Sequence, residues 1–250
     1  MLEIKNISKI YDSGGVQTEV ISDVSFKVED KQFVALVGPS GCGKTTLLKI
    51  VAGLLTPTTG EVLLDGEKIA EPGKDRGLIF QNFNLFPWLT VRGNISFGLD
   101  LQKLDRAKKR EIVEHYLEIT GLLDFAEFYP KNLSGGMQQK VAIARTLAND
   151  PKILLMDEPF GSLDSQTRSQ MQEFLIKLWE VEQKTILFVT HNVREAIFLA
   201  DKIYILTKRP MRIKKIFKVP FPRPRTKALK RTKAFFEFEG KIAKELEKTN

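Results

Sequence analysis

The sequence predicts an α/β fold with a mostly parallel sheet, an N-terminal antiparallel β subdomain and an inserted α-helical subdomain. Three observations predict it: strand-like alternation at Val24 to Val28, a fully apolar run at Phe33 to Val37, and strand-helix-strand repetition from Lys152 onward. A continuously apolar strand indicates burial on both faces, as in a parallel sheet. Alternating strands and helices indicate the crossover connections that such a sheet requires.

Turn signals and the periodicity of apolar residues predict the remaining elements. The first eleven residues alternate polar and apolar side chains and predict a first strand. Asp65-Gly66, between two short β-like runs, predicts a hairpin. Apolar residues at helical spacing predict a helix from Asp105 to Gly121. We expect the inserted helical subdomain at about residues 84–140, within a domain of residues 1–225.

The composition excludes several classes of protein. The chain has 250 residues, of which 42% are apolar and 28% charged, so it is neither disordered nor collagen-like. Its longest apolar stretches span five residues, whereas a membrane-spanning helix needs about 20. The single cysteine, Cys42, excludes an intrachain disulfide and predicts a reducing compartment. We therefore expect a cytoplasmic location.

The positive charge is concentrated at the C-terminal end. Residues Lys208 to Asn250 contain 15 Lys or Arg and 4 Asp or Glu, a net charge of +11 that leaves −3 for residues 1–207. Such a tail could contact nucleic acid or an anionic membrane, but a solvated, charge-rich helix is the simpler interpretation. We expect residues 226–250 to be helical and packed on the same domain. The predicted apolar face of this tail consists of Phe235, Phe236, Phe238, Ile242 and Leu246.

A glycine-rich segment carries the first chemical signal. Residues 38–46, GPSGCGKTT, match G-x-x-x-x-G-K-[ST] and lie between an apolar strand and a helix. In such a loop backbone N–H groups surround the phosphates, Lys44 reaches the β/γ oxygens and the Thr45 hydroxyl ligates Mg²⁺. The sequence therefore predicts a P-loop NTPase (RecA-like) core. The predicted nucleotide-binding residues of this loop are Gly38, Pro39, Ser40, Gly41, Cys42, Gly43, Lys44, Thr45 and Thr46.

Two adjacent carboxylates indicate which reaction follows. The segment KILLMDEP places Asp157 and Glu158 directly after an apolar strand, at the carboxyl edge of the sheet where ligands bind in α/β folds. Asp157 is placed to hold Mg²⁺ through water, and Glu158 to polarise an attacking water. A phosphate loop alone leaves NTPases and kinases open. Two acids, without a motif for a substrate base, favour hydrolysis.

The most specific segment is LSGGMQQKVAIARTL at 133–147. Ser134, Gly135 and Gly136 stand at the start of a helix, which makes them a second anion site in the same chain. One nucleotide does not need both sites from one subunit. The segment resembles the signature motif of the ATP-binding cassette family, whose members dimerise head to tail so that this serine caps the γ-phosphate bound by the partner's loop.

The resemblance covers nearly the whole chain and implies further roles. Tyr11 lies where the family stacks an aromatic ring on adenine, and Gln81 matches the glutamine that contacts Mg²⁺ and the attacking water. Asp164, in Ser162-Leu163-Asp164, matches the loop that crosses the dimer interface. His191, directly after the strand ILFVT, matches the histidine that contacts the γ-phosphate. The predicted catalytic residues are Glu158, His191, Gln81 and Lys44.

Within that family the chain resembles the ATPase subunits of nitrate, sulfonate and taurine importers, through GLIFQNFNLFPWLTVRGNISFGL, MDEPFGSLDSQTR and ILFVTHNVREAIFLADKIYIL. The resemblance implies ATP and Mg²⁺ as cofactors and a head-to-tail dimer, expected to be a homodimer. It also implies an integral-membrane permease, an indirectly acting extracytoplasmic solute-binding protein and a peripheral location at the cytoplasmic face of the cell membrane. No nucleic acid partner is expected.

The apolar segment Asn82–Asn94 has two interpretations. Its aromatic side chains either pack under the helical insertion or form a groove for a partner. We favour the groove, because in this family a short helix of the permease docks beside the glutamine loop.

Two other functions share the same catalytic residues. An exporter or lipid-transport ATPase differs from an importer ATPase only in its partner. A cassette ATPase acting on DNA or ribosomes is favoured only by the basic tail. The 86 residues between Thr46 and Leu133 leave no room for the long heptad arms of chromosome-type members, and the chain carries one cassette, not two.

Overall fold

The computed structural model describes residues 1–102 and 104–248. In this part of the chain the strands are β1 (Leu2–Ser13), β2 (Val16–Val28), β3 (Phe33–Val37), β4 (Thr59–Leu64), β5 (Glu67–Lys68), β6 (Arg76–Ile79), β7 (Ile153–Asp157), β8 (Thr185–Thr190), β9 (Lys202–Leu206) and β10 (Ile213–Lys218). The α-helices are α1 (Lys44–Val51), α2 (Val91–Leu101), α3 (Arg106–Thr120), α4 (Gly135–Leu147), α5 (Ser165–Glu182), α6 (Val193–Leu199) and α7 (Lys233–Glu247). Short 3₁₀ turns occupy Leu123–Phe125, Pro130–Asn132 and Lys227–Arg231.

Two sheets confirm the predicted α/β architecture. The main sheet has the strand order β10-β9-β3-β8-β7-β6, and all its neighbouring pairs are parallel except β10 with β9. The second sheet, in the order β2-β1-β4-β5, is antiparallel and contains the predicted first strand. The parallel strands are linked through helices, as the alternating pattern predicts.

The main sheet is covered on both faces. Phe33, Ala35 and Val37 of β3 point into the larger apolar core, whereas Val34 and Leu36 point into a second core. The second core also holds β2 and α1, and therefore lies between the two sheets. This arrangement explains why β3 is apolar at every position.

The hairpin at Asp65-Gly66 and the extent of helix α3 are also as predicted. Asp65 and Gly66 both have positive φ, 53° and 84°, which a two-residue hairpin between β4 and β5 requires. Helix α3 begins after Asp105, whose side chain accepts from the Lys108 N–H, and ends at Gly121 in the left-handed conformation. The helix predicted from Asp105 to Gly121 is confirmed.

The helices between β6 and β7 are α2, α3 and α4. They run from Val91 to Leu147, so α4 continues beyond residue 140, where we expected the insertion to end. Residue 103 of that insertion lies outside the described residues. The subdomain limits themselves stay a prediction.

The C-terminal segment packs on the main body through one face of α7. Phe235 and Ile242 are fully buried, and Phe221 stacks on Phe235 with ring centroids 6.0 Å apart. Including Phe236 in the apolar face was wrong: its side chain is 52% exposed and lies under the Arg194 guanidinium. Successive helical residues are about 100° apart, so on α7, which buries a single narrow face, the side chain of Phe236 points away from the core that Phe235 enters. The last two residues of the predicted tail, 249 and 250, lie outside the described residues.

None of the helices in the described ranges is long and apolar enough to cross a membrane.

Candidate active site

Three neighbouring parallel strands bring the predicted catalytic residues to one edge of the main sheet. Strand β3 leads into the loop at 38–46, β7 ends in Asp157 and Glu158, and β8 leads into His191. Because parallel strands end at the same edge, residues far apart in sequence become neighbours. The site is therefore a product of strand order.

The phosphate-binding loop is held by β2 and by its own lysine. Gly43 has φ of 124°, and a Cβ there would lie 3.0 Å from Val20 Cγ1, so only glycine fits this turn against β2. Lys44 is 5% exposed, and its Nζ donates to the carbonyls of Gly38 at 3.0 Å and Pro39 at 2.9 Å. The ammonium group of Lys44 therefore lies inside the loop at 38–46, to which Lys44 itself belongs.

The other loop residues differ in orientation. Ser40 and Gly41 form an exposed tip, where the Gly41 carbonyl accepts from Arg209 Nη2, and Thr46 lies in the first turn of α1. The Cys42 thiol is buried in the second core, and this burial raises its pKa. Only the backbone of Cys42 is therefore available to a nucleotide.

Thr45 and Asp157 present two oxygen ligands side by side. The Thr45 hydroxyl donates to Asp157 Oδ1 at 3.1 Å. Burial raises the pKa of Asp157, the Thr45 hydrogen bond opposes that rise, and the Glu158 charge adds to it. A hydroxyl and a carboxylate are the hard donors that Mg²⁺ prefers, and Mg²⁺ commonly takes its remaining ligands from water and substrate phosphates. The residues therefore fit Mg²⁺, and the described ranges contain no cluster of three or more acidic, His or Cys ligands that would hold it without a nucleotide.

Glu158 connects the loop lysine with the histidine. Its Oε1 lies 3.6 Å from Lys44 Nζ, and its Oε2 lies 2.8 Å from His191 Nδ1. The backbone of Glu158 has φ of 45°, in the left-handed region, which costs about 1–3 kcal/mol for residues other than glycine and is concentrated at functional sites. The side chain is 17% exposed, so it faces a cavity and not bulk solvent.

Gln81 lies beside this group and is exposed. A Cβ placed on Gly161 would be 3.1 Å from Gln81 Nε2, and the Gly161 N–H donates to the Glu158 carbonyl at 3.0 Å. Its side-chain amide therefore lies against the loop that follows Glu158.

The signature residues are not joined to the phosphate loop of the same chain. Ser134 caps α4 by accepting from the Met137 N–H at 3.3 Å. Gly135 and Gly136 pack against side chains of the segment that follows Glu158: a Cβ on Gly135 would lie 3.1 Å from Leu163, and one on Gly136 would lie 2.8 Å from Thr167. The structure thus gives the chain two separate helix N-termini, one at the end of the loop at 38–46 and one after Ser134.

Two further candidates lie apart from the group around Glu158. Asp164 caps α5, where its Oδ1 accepts from the N–H groups of Gln166 and Thr167, both at 3.0 Å. Tyr11 lies on β1 and is 41% exposed, with Lys9 Nζ 5.2 Å from its ring centroid. An exposed ring on a strand is available for stacking.

In the segment Asn82–Asn94 some of the apolar side chains are packed and others are exposed. Phe83 and Leu85 pack against the larger core. Phe86 is half-buried against Phe97, with ring centroids 4.3 Å apart, and Trp88 is 69% exposed. Phe86 also lines a cleft of about 410 Å³ between the main sheet and the helical insertion. The other side chains and backbone that line the cleft belong to Lys74, Arg76, Gly77, Leu78, Phe80, Asn84, Phe97, Gly98, Arg145, Thr146 and Asn149.

The sequence reasoning missed a buried polar group behind His191. Glu195, Gln172 and Thr190 are at most 5% exposed and are hydrogen-bonded to one another. The available signal was one carboxylate, Glu195, in the first turn of α6, directly before the apolar run Ala196 to Leu199. A buried carboxylate requires partners, but their identity depends on the packing of α5 against α6.

Comparisons with known proteins agree with this geometry. The family model described as "ABC transporter" matches residues 21–161. An uncharacterized ABC transporter ATP-binding protein of Methanocaldococcus jannaschii is 48% identical, over 96% of this chain and 89% of its own length. The nitrate import ATP-binding protein of Synechocystis is 44% identical, over 97% and 93%. An aliphatic sulfonates import ATP-binding protein of Bacillus cereus is 44% identical, over 98% and 96%.

A solved structure extends the similarity to three dimensions. The dimeric ATP-binding cassette in a post-hydrolysis state bound to ADP and Pi superposes with a TM-score of 0.77 and is 34% identical, over 89% of this chain and 100% of that one. With a family model and full-length relatives in agreement, the chain belongs to the ABC transporter family and is one of its ATP-hydrolysing cassettes.

Proposed function

We propose that this chain is the ATP-hydrolysing subunit of an importer for a small solute of the nitrate, sulfonate or taurine kind. The observation that carries the proposal is the Glu158–His191 contact beside Lys44 and the Thr45–Asp157 pair. The names of the nitrate and sulfonate import relatives support the direction of transport and the solute class.

The proposed roles of the residues combine their contacts with the resemblance to the family. Lys44 and the loop at 38–46 bind the phosphates, and Tyr11 stacks on the adenine. Glu158 accepts a proton from the attacking water while the water oxygen bonds to the γ-phosphorus and the bond to the bridging oxygen of ADP breaks. His191 orients the Glu158 carboxylate and contacts the γ-phosphate.

Mg²⁺ has a defined place in this proposal. Thr45, Asp157 and Gln81 would hold it, the first two as an adjacent hydroxyl and carboxylate. It would neutralise charge on the phosphate oxygens.

Two copies are needed to complete a site. Gly135 and Gly136 pack against Leu163 and Thr167, and Ser134 caps α4, so these residues lie apart from the phosphate loop of their own chain. A head-to-tail homodimer places this anion-binding helix end against the nucleotide of the partner. Asp164, at the start of α5, lies in the loop that would cross the interface. The dimeric cassette structure supports this assembly.

The proposed transport partner is a membrane permease. The cleft is lined by the apolar side chains of Leu78, Phe86 and Phe97 and by three cations, and Trp88 stands exposed beside Phe86. The cations are Lys74, Arg76 and Arg145. A short amphipathic helix of the permease would bind there, with its apolar face inward. The permease would keep the chain at the cytoplasmic face of the membrane and connect it indirectly to an extracytoplasmic solute-binding protein.

The test is affinity purification of the tagged chain from native membranes solubilised in mild detergent, followed by mass spectrometry. An integral-membrane permease that copurifies with wild type and is lost from Trp88→Asp supports the proposal. Exclusive recovery of nucleic acid or ribosomal proteins contradicts it. Solute-stimulated ATPase activity of the copurified complex then identifies the solute.

A further inference from the structure

Helix α6 begins directly after the proposed catalytic histidine and is fixed at both ends. At its start the Asn192 side chain accepts from the Glu195 N–H at 3.2 Å. At its end Arg225 Nη1 donates to the carbonyls of Ile197, Phe198 and Ala200 at 2.7–3.1 Å. A guanidinium at a helix C-terminus satisfies the free carbonyls and complements the helix dipole. The segment after β10 thus holds the helix that follows His191.

Glu195 links the residues on either side of His191. Its Oε2 accepts from the Thr190 hydroxyl at 2.8 Å, and that hydroxyl accepts from the Asn192 N–H at 3.0 Å. Thr190 precedes His191 and Asn192 follows it, so the carboxylate fixes the backbone on both sides of the histidine. Glu195 itself makes no hydrogen bond to the imidazole.

The second oxygen of Glu195 points toward the C-terminal segment. Glu195 Oε1 accepts from Gln172 Nε2 at 3.0 Å, and Gln172 Oε1 accepts from Lys230 Nζ. A lysine ammonium can only donate, which requires the carbonyl of Gln172 to face Lys230 and its NH₂ to face the carboxylate. The donor and acceptor of every bond from Lys230 to Asn192 are therefore determined.

The same carboxylate lies near the loop proposed to cross the dimer interface. Arg168 Nε lies 3.9 Å from Glu195 Oε1, and the Arg168 guanidinium also donates to the carbonyls of Phe160 and Leu163. A small cavity of about 40 Å³ is lined by both Glu158 and Glu195, together with His191. Burial raises the pKa of Glu195, and the hydrogen bonds from Thr190 and Gln172 oppose that rise, so both bonds favour the carboxylate.

We propose that Glu195 is a positioning residue for His191, acting through Thr190, and that Lys230 of the C-terminal segment completes its hydrogen-bond network. The inference rests on the proposed roles of Glu158 and His191. It predicts that hydrolysis depends on a buried carboxylate that touches neither the nucleotide nor the metal.

The central test is the pair Thr190→Val and Thr190→Ser, assayed for kcat and for binding of a fluorescent ATP analogue. Valine keeps the shape of threonine without its hydroxyl, so kcat is expected to fall about tenfold while ATP affinity stays unchanged. Serine restores the hydroxyl and is expected to restore kcat. Equal kcat in both variants, or a loss of ATP affinity that accounts for the decrease, overturns the proposal.

The outer partner is tested with Lys230→Met and its matched control Lys233→Met. Lys233 is exposed and outside the network. Lys230→Met is expected to lower kcat about twofold or more, and Lys233→Met to leave it unchanged; equal values overturn the role of Lys230. Glu158→Gln and His191→Ala, measured in parallel, distinguish a failure of the proposed site from a failure of this inference. If they retain turnover, the proposed site fails; if they abolish turnover while Thr190→Val does not lower it, only the inference fails.

Discussion

Glu158 Oε2 lies 2.8 Å from His191 Nδ1, a contact that joins the carboxyl ends of β7 and β8 across 33 positions of sequence. Glu158 Oε1 lies 3.6 Å from Lys44 Nζ, at the end of β3. The Glu158 carboxylate therefore lies between Lys44, which we propose binds phosphate, and His191, which we propose orients the carboxylate.

Replacing Glu158 by glutamine keeps the shape of the side chain but removes its capacity to accept a proton. We expect kcat for ATP hydrolysis to fall about 10²- to 10⁴-fold, the usual contribution of a general base. ATP binding should be retained, so the variant should accumulate as an ATP-bound dimer in size-exclusion chromatography. Unimpaired turnover in Glu158→Gln would contradict the assignment of the base.

Lys44→Ala should act on binding. The ammonium group is buried inside the phosphate loop, where it donates to Gly38 and Pro39. Its loss removes a charge-assisted contact to the phosphates, so we expect the Kd for ATP to rise at least about tenfold in isothermal titration calorimetry. Lys49→Ala, at an exposed position of α1, is the control and should bind ATP like wild type. Equal Kd values for both variants would show that Lys44 does not contact the nucleotide.

Trp88→Asp should separate hydrolysis from transport. The indole is 69% exposed, so an aspartate there should leave the melting temperature and basal ATPase rate unchanged. Solute uptake in reconstituted vesicles should be lost, because a charge opposes apolar docking. Val181→Asp, a control at a 67% exposed position on α5, should transport normally. A Trp88→Asp protein that unfolds would favour packing under the helical insertion instead.

Lys230 should make stability depend on pH in a defined window. Burial lowers the pKa of Lys230 to about 8; Glu173 and Glu195 oppose this shift, whereas Arg194 and Lys227 add to it. The unfolded chain has the ordinary value near 10.5, so between these values the unfolded state binds more protons. The free energy of unfolding should therefore rise with pH across that window.

This contribution is measured by urea unfolding of wild type and Lys230→Met between pH 7 and 10.5. Wild type should gain stability relative to the variant as pH rises through about 8. The exposed Lys233→Met serves as the control and should follow wild type. Parallel curves for wild type and Lys230→Met would show that the folded state does not shift this pKa.

Much of this structure follows from local sequence signals. Strand β3 is recognisable because all five of its residues are apolar, and α3 because apolar residues recur at helical spacing between Asp105 and Gly121. The motif spacing also identified the residues that the structure brings together around Glu158. These signals can be read from short windows of sequence.

Other features depend on long-range packing. The orientation of Phe236 toward solvent is set by which face of α7 meets α6, and the sequence allowed either Phe235 or Phe236 to face the core. The partners of Glu195 come from α5 and β8, and Lys230 of the C-terminal segment joins the network through Gln172. No short window of sequence contains all of them, so the buried network could not be predicted.

The most direct measurement of the central claim is ATPase activity of an equimolar mixture of Lys44→Ala and Ser134→Arg chains. If each nucleotide lies between Lys44 of one chain and Ser134 of the other, a mixed dimer contains one intact site. Random pairing should then restore about a quarter of the wild-type rate from two inactive parents. No recovery, in a mixture shown by native mass spectrometry to contain the mixed dimer, would contradict composite sites shared between two chains.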